Sequence, residues 1–423
     1  MKFDTPKNNN YAAVITSVKA VVTLPNRDRI VAVPLFGHQA IVQKGWEPGD
    51  LGVFIPAEAQ LSHEYASVNN MYRHGHLNAD PGVTGYLEDN RRVKAIKLGG
   101  HRSNALFMPL SSLEFTGVNI GELKEGDTFD TINGHEIVRK YEVRPAKEAS
   151  TKGNQPPKVR RVEERMFPQH IDTDNYWRNE HKIESAEYIT VTQKLHGTSI
   201  RVGNTMVSRK LSWRERIARK LGATVQELRY ENVYGSRRVI KDANDPDQVH
   251  FYDQDIWTIE GRKLDGVIPE GYAVYGELVG WTPSGEPIQK GYTYRIPKGE
   301  ARLFVYRVTV INPQGITVDL GWPQVEEFCR NLGLRTVPVL WEGYKHDFNV
   351  DDWMNIRYAD LAPWNSAPAV PLDDNGTVDE GVVVRAEGLT PRLLKAKSPE
   401  FLEHETKMLD AEVVDLESVG AAD

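Results

Sequence analysis

By residue type and spacing, Lys194 in the run Val191-Thr-Gln-Lys-Leu-His-Gly-Thr-Ser-Ile200 could act as a nucleophile. A β-branched segment ends at Lys194, a turn through His196 and Gly197 follows, and a second strand begins near Ser199. The lysine is therefore expected at the tip of a hairpin. Lysine ordinarily occupies a solvated face. Set between apolar strands or beside another cation, it loses part of its charge and becomes an amine nucleophile. Gly197 suits a turn that needs positive φ, and its missing Cβ lets a ligand approach the backbone. Four residues of the form K-x-H-G occur by chance in many proteins, so taken alone they describe only a surface hairpin.

Four further pieces follow in order. Tyr272-Ala-Val-Tyr-Gly-Glu-Leu-Val-Gly280 reads as a strand carrying one carboxylate, Glu277, between two glycines. Ala301-Arg-Leu-Phe-Val-Tyr-Arg-Val-Thr-Val310 alternates with period two. This puts Phe304, Tyr306 and Val308 on one face and Val305, Arg307 and Thr309 on the other. Asp379-Glu-Gly-Val-Val-Val-Arg385 reads as a buried strand opened by Glu380, and Leu393-Leu-Lys-Ala-Lys397 places Lys395 and Lys397 two apart, on the same side of a strand. Paired lysines beside an apolar run fit a polyphosphate better than they fit a random surface.

The five pieces together, over roughly residues 185 to 403, resemble the covalent nucleotidyltransferase superfamily of ATP-dependent ligases and RNA capping enzymes. The histidine at 196, followed by Thr198 and Ser199, is more similar to RNA ligases than to DNA ligases or capping enzymes. The resemblance implies that Lys194 attacks the α-phosphate of ATP, that AMP passes from the lysine to an RNA 5′-phosphate, and that a 3′-hydroxyl then displaces AMP. It implies a nucleotide site built from Gln193, His196 and Gly197, with Glu277 on the ribose hydroxyls and Tyr306 stacked on adenine, Phe304 being the alternative ring. Lys395 and Lys397 are implied on the α-phosphate. Glu380 is the implied anchor for a divalent metal, Mg2+ or Mn2+, because hard cations take oxygen ligands. A Ser-Arg pair on phosphate and ribose matches Ser236-Arg237, with Ser208-Arg209 as competitor. Arg307 departs from the family pattern, which has an acid after the stacking ring.

Composition bounds the rest. The chain has 423 residues, 26% of them charged, and a formal net charge of −7, which argues against nonspecific coating of nucleic acid and leaves recognition to local basic patches. A single cysteine, Cys329, excludes an intramolecular disulfide and is expected to be buried filler. With a polar amino terminus and no apolar run of spanning length, a cytoplasmic monomer free of the membrane is expected.

The elements that must position these residues fall into an α+β chain of two domains. Residues 1–142 carry short strands with glycine turns, expected as an all-β OB-like barrel; this order resembles the fifth RNA ligase family, with its amino-terminal OB module. A basic linker, 143–162, leads to an antiparallel-sheet, ATP-grasp-like catalytic domain at 163–423 with an acidic tail. Residues 212–230 read as a helix capped by Ser212 and Glu215, with Trp213, Ile217 and Leu221 packed inward. The expected activity is ATP-dependent sealing of RNA ends in RNA repair. Sealing of DNA, capping with GTP, and RNA binding without catalysis are the rival functions.

Overall fold

The computed structural model describes residues 3–143, 161–241, 251–364, 368–373, 377–411 and 413. The expected basic linker, apart from its ends, and the acidic tail lie outside the described residues. The chain forms two compact units. The first takes 3–143, 174–180 and the described residues from 396 onward; the second takes 161–173 and 181–395.

In the first unit, strands β1 (Ala13–Ser17), β2 (Ile30–Leu35), β3 (His38–Gln43), β4 (Leu51–Pro56), β5 (Ala105–Pro109) and β6 (Thr128–Phe129) dominate. An antiparallel sheet runs β6-β1-β4-β5, while β2 and β3 form a hairpin in a separate sheet. Both faces of the first sheet are covered: Ile15, Val53, Ile55 and Phe129 join one core, and Val14, Phe54 and Phe107 pack against Val33, Leu35 and Ala40 in another. The expected barrel does not close among the described residues. Where β3 would join β5, Asn104 intervenes, its side chain accepting from the Gln39 amide at 2.7 Å. The Asn104 backbone amide donates in turn to the Gln39 carbonyl at 2.9 Å, so the two strands meet through this one residue.

The C-terminal helix, Pro399–Asp410, belongs to this unit. Leu402 packs on Ala57 and Ala95, Arg102 Nε lies 2.6 Å from Glu403 Oε1, and Thr406 Oγ1 donates to Glu58 Oε1 at 2.7 Å. Glu58 is buried, and burial together with the nearby Glu405 pushes its carboxyl up to about 7 against the pull of Arg92.

The second unit holds two larger sheets. The strands are β7 (Tyr188–Lys194), β8 (Thr198–Ser208), β9 (Leu228–Gly235), β10 (Tyr272–Gly280), β11 (Ala301–Ile311), β12 (Thr317–Asp319), β13 (Val339–Tyr344), β14 (Gly381–Ala386) and β15 (Arg392–Lys397). In one sheet they run β15-β14-β7-β13, in the other β9-β8-β10-β11-β12. The expected hairpin at Lys194 is not formed. β7 pairs with β13 and β14, whereas β8 pairs with β9 and β10, so the turn carries the chain from one sheet to the other.

The helix expected over 212–230 is shorter. It spans Trp213–Lys220, with the Ser212–Glu215 capping box in place, and stops at Gly222, whose φ of 87° leaves the right-handed region; the chain then enters β9. Trp213, Ile217 and Leu221 are exposed instead of packed. Cys329 is buried, as expected.

Candidate active site

The residues singled out from the sequence fall into two groups on either side of Gly197. In the first, Lys194 Nζ lies 2.7 Å from Glu380 Oε1, and His196 Nδ1 lies 3.7 Å from Glu380 Oε2. Glu380 has 0% side-chain exposure and Lys194 16%, so the pair is screened little by water. Register explains the meeting: Lys194 opposes Gly381 across β7 and β14, and Glu380 immediately precedes β14. His196 is held in turn. Its backbone amide donates to the Tyr294 hydroxyl at 2.7 Å, and its ring meets Tyr292 edge-on at 4.9 Å.

Gly197 is required for a reason other than the expected positive φ. A Cβ at this position would stand 2.4 Å from the Leu278 carbonyl oxygen and 3.0 Å from Glu277 Cγ. The turn is pressed onto β10, and any side chain would push Glu277 away. Gln289 Nε2 donates to the Gly197 carbonyl at 2.9 Å, closing the other side.

Gln193 is buried on β7, and its amide is fully engaged. Nε2 donates to Asp379 Oδ1 at 2.8 Å and to the Val370 carbonyl, and Oε1 accepts from the Val370 amide at 2.8 Å. Asp379 also accepts from the Tyr358 amide, and burial raises its pKa. These bonds fix the segment leading into Glu380 against β7.

The second group surrounds Glu277, which opposes Ser199 on β8 and Phe304 on β11. The alternation expected along β11 is broken by a bulge. Tyr275 opposes Arg307 while Gly276 opposes Val305, leaving Tyr306 as the extra residue. Val305 and Arg307 therefore face opposite sides of the sheet. Tyr306 retains partial exposure, whereas Phe304 is 6% exposed. The Tyr306 hydroxyl is hydrogen-bonded to His170 Nδ1 at 2.7 Å, and burial raises its pKa. Arg307, where an acid was expected, instead pairs with Asp319 on β12 and lies over the Tyr275 ring at 4.4 Å.

The two candidate arginines are placed differently. Arg237, in the turn after β9, pairs with Asp172 at 2.5 Å and acts electrostatically on Tyr306 and His170. Arg209 is engaged with Glu215 at the capping box of the helix Trp213–Lys220. Arg237, Arg238 and Lys395 all hold the Asp172 carboxyl below its usual range against desolvation. Lys397, two residues along β15 and itself part of the first unit, pairs with Glu405 at 3.0 Å within that unit. The sequence reading missed Asp172, His170, Gln289, Tyr292, Tyr294 and Asp379. Only Asp379 sits in one of the quoted motifs, where its bond to Gln193 could not be read locally; Tyr294, with φ of 54°, lies in a loop whose shape only the fold dictates.

Among the described residues no three His, Cys, Asp or Glu side chains converge on a point that could hold a metal ion. A cation at Glu380 would draw its other ligands from elsewhere.

The RNA ligase family model matches residues 187–397. The fold is similar to that of Naegleria gruberi RNA ligase. A mutant of that enzyme with ATP and Mn aligns at a TM-score of 0.56 and 16% identity over 95% of this chain and 99% of that one. The enzyme with pyrophosphate aligns at 0.56 and 16% over 93% and 98%, and a lysine mutant with AMP and Mn at 0.56 and 15% over the same shares. No curated protein sequence matches the chain.

Proposed function

We propose, from the membership of residues 187–397 in the RNA ligase family, that this chain is an ATP-dependent RNA ligase that works through an adenylylated Lys194. The observation that carries the reading is the 2.7 Å pairing of Lys194 with a fully buried Glu380 at the turn between two sheets. An amine with little exposure to water is held there by a buried carboxylate, and Glu277, Tyr306 and Arg237 stand in or beside the neighbouring sheet.

The chemistry balances in three steps. Nζ of Lys194 bonds to the α-phosphorus of ATP, the bond to pyrophosphate breaks, and the proton shed by the amine is taken up by the departing pyrophosphate. A 5′-phosphate oxygen of RNA then attacks the same phosphorus, the P–N bond breaks, and the lysine amine is restored. A 3′-hydroxyl finally attacks the RNA 5′-phosphorus, a phosphodiester forms, and AMP leaves. Lys194 acts as nucleophile in its neutral form, its side chain fixed at one end of β7 and positioned by Glu380. His196 shapes the turn and stands within reach of the same carboxylate. Glu277 accepts from ribose hydroxyls, Tyr306 offers its ring to adenine, and Arg237 holds phosphate oxygens in two directions. Lys395, with Lys397 along the same strand, faces the charge that builds on phosphorus.

The Naegleria gruberi structures carry ATP or AMP with Mn, which supports ATP and a divalent metal here. Glu380 would hold that metal, with phosphate oxygens and waters completing its shell, a donor set that suits a hard cation bound partly by substrate. Such a metal supplies neutralisation of the α-phosphate charge. In this reading the first unit is an OB-type module for RNA ends. The enzyme acts as a monomer in cytoplasmic RNA repair, its one cysteine buried and free.

The test is covalent labelling. With α-labelled ATP and Mn2+ or Mg2+, the protein gains one acid-stable AMP, Lys194→Ala gains none, and RNA ends with 3′-hydroxyl and 5′-phosphate are joined. Labelling by GTP alone would turn the reading to capping, sealing of DNA in preference to RNA would turn it to DNA ligation, and equal labelling of the variant would end it.

A further inference from the structure

His170 lies upstream of the 187–397 match and outside the motifs, yet it is joined to the nucleotide pocket. It is 9% exposed. One ring nitrogen, Nδ1, is hydrogen-bonded to the Tyr306 hydroxyl at 2.7 Å; the other, Nε2, is buried and has no hydrogen-bond partner among the described residues. Its ring stands edge-on to Tyr275 at 5.1 Å. Buried polar atoms are nearly always hydrogen-bonded, so an imidazole nitrogen left unsatisfied beside a binding pocket marks the place of a missing partner.

The bond to Tyr306 sets the tautomer. A phenol is a better donor than acceptor and a neutral imidazole offers one acceptor nitrogen, so the Tyr306 hydroxyl donates to Nδ1 of His170. Nε2 then carries the ring proton and is a donor. Burial first, then Arg237, Arg201 and Arg307, hold the ring pKa well below its ordinary value, so the imidazole is neutral. A neutral donor surrounded by guanidinium groups is suited to an uncharged acceptor.

We propose that Nε2–H of His170 donates a hydrogen bond to a ring nitrogen on the edge of the adenine of ATP, while Nδ1 holds the ring of Tyr306 in its stacking position. The inference rests on the adenylylation reading above. Glu277, an acceptor, takes the ribose hydroxyls; His170, a donor at the hydroxyl end of Tyr306, is left to the base. His170 is thus a specificity-determining residue supplied by the segment that precedes the family's matched region.

The test uses the full chain and four nucleotides: ATP and its 1-deaza, 3-deaza and 7-deaza analogues, each lacking one acceptor nitrogen. Lysyl-AMP formation is measured at subsaturating nucleotide. The wild-type protein is expected to disfavour one analogue by about 5- to 50-fold, as a buried donor left unpaired requires. His170→Phe, which keeps a ring, is expected to bring that analogue within twofold of ATP, since the variant has no donor to strand. A variant that loses rate with all four nucleotides in the same proportion would show that His170 only packs, and would overturn the proposal. If the variant does not fold, the wild-type panel decides: no analogue disfavoured by more than twofold overturns it. Ordinary labelling by ATP without any analogue preference sinks the His170 inference alone, whereas absence of labelling by ATP sinks the ligase reading with it.

Discussion

Replacing Lys194 by Met removes the nucleophile and also strands a buried charge. Glu380 has no exposed surface and its Oε1 loses a cation 2.7 Å away, leaving His196 Nδ1 at 3.7 Å from the other oxygen. Breaking a buried ion pair on one side costs about 3–5 kcal/mol when both groups are fully desolvated. Lys194 keeps 16% exposure and His196 remains, so about 2–4 kcal/mol is expected here. At roughly 2–4 °C per kcal/mol for a domain of this size, the second unit should melt roughly 4–16 °C lower. The double variant Lys194→Met/Glu380→Gln carries no charge at either position. It should recover at least about 1 kcal/mol over Lys194→Met alone, the coupling that a double-mutant cycle isolates. Urea unfolding of the four proteins, with labelling by ATP run in parallel, measures both effects. Both variants should lack the AMP adduct. If Lys194→Met leaves stability unchanged, or if the two substitutions simply add, then Lys194 and Glu380 do not form the buried pair on which the mechanism depends.

Other perturbations separate residues that the sequence left as alternatives. Arg237→Ala should slow adenylylation about 10- to 100-fold, as loss of preorganised charge does, whereas Arg209→Ala should label like wild type because its guanidinium is already taken by Glu215. Tyr306→Ala should raise the KM for ATP by about 10- to 100-fold, the range of a lost base stack, while Phe304→Leu should act mainly on melting. Glu58 gives a pH signature for the first unit. Its folded pKa of about 7 lies above the ordinary 4.5, so the folded state holds the proton more tightly. That contribution is complete below about pH 4.5 and is lost as pH rises through about 7, by about 1–3 kcal/mol. Glu58→Gln should flatten this part of the stability profile between pH 5 and 7.5, as followed by thermal melting; an unchanged slope would place the titration elsewhere.

The chain order of Lys194, Glu277, Tyr306, Glu380 and Lys395 was legible without coordinates, because each stands in or beside a strand whose β-branched and aromatic residues mark it locally. The capping box at Ser212 and Glu215 was legible for the same reason: it needs only residues three apart. What could not be read depends on partners far along the chain. The turn at Lys194 looks like a hairpin because both flanking segments are strands, yet β7 and β8 enter different sheets, a choice made by β14 and β10. Gly197 is forced by the Leu278 carbonyl pressed against it, and its φ never enters. The bulge that frees Tyr306 from the β11 alternation arises in the pairing with β10, so no periodicity within β11 records it. Arg307 breaks the family pattern in sequence and finds its acid at Asp319, twelve residues on. The helix Pro399–Asp410 follows directly after the lysine strand but packs with Glu58, Ala95 and Arg102, over 300 residues earlier. Local sequence decides which residues extend as strands and which carry reactive groups; the burial that pairs Lys194 with Glu380 and His170 with Tyr306 comes from contacts that exist only once the sheets have assembled.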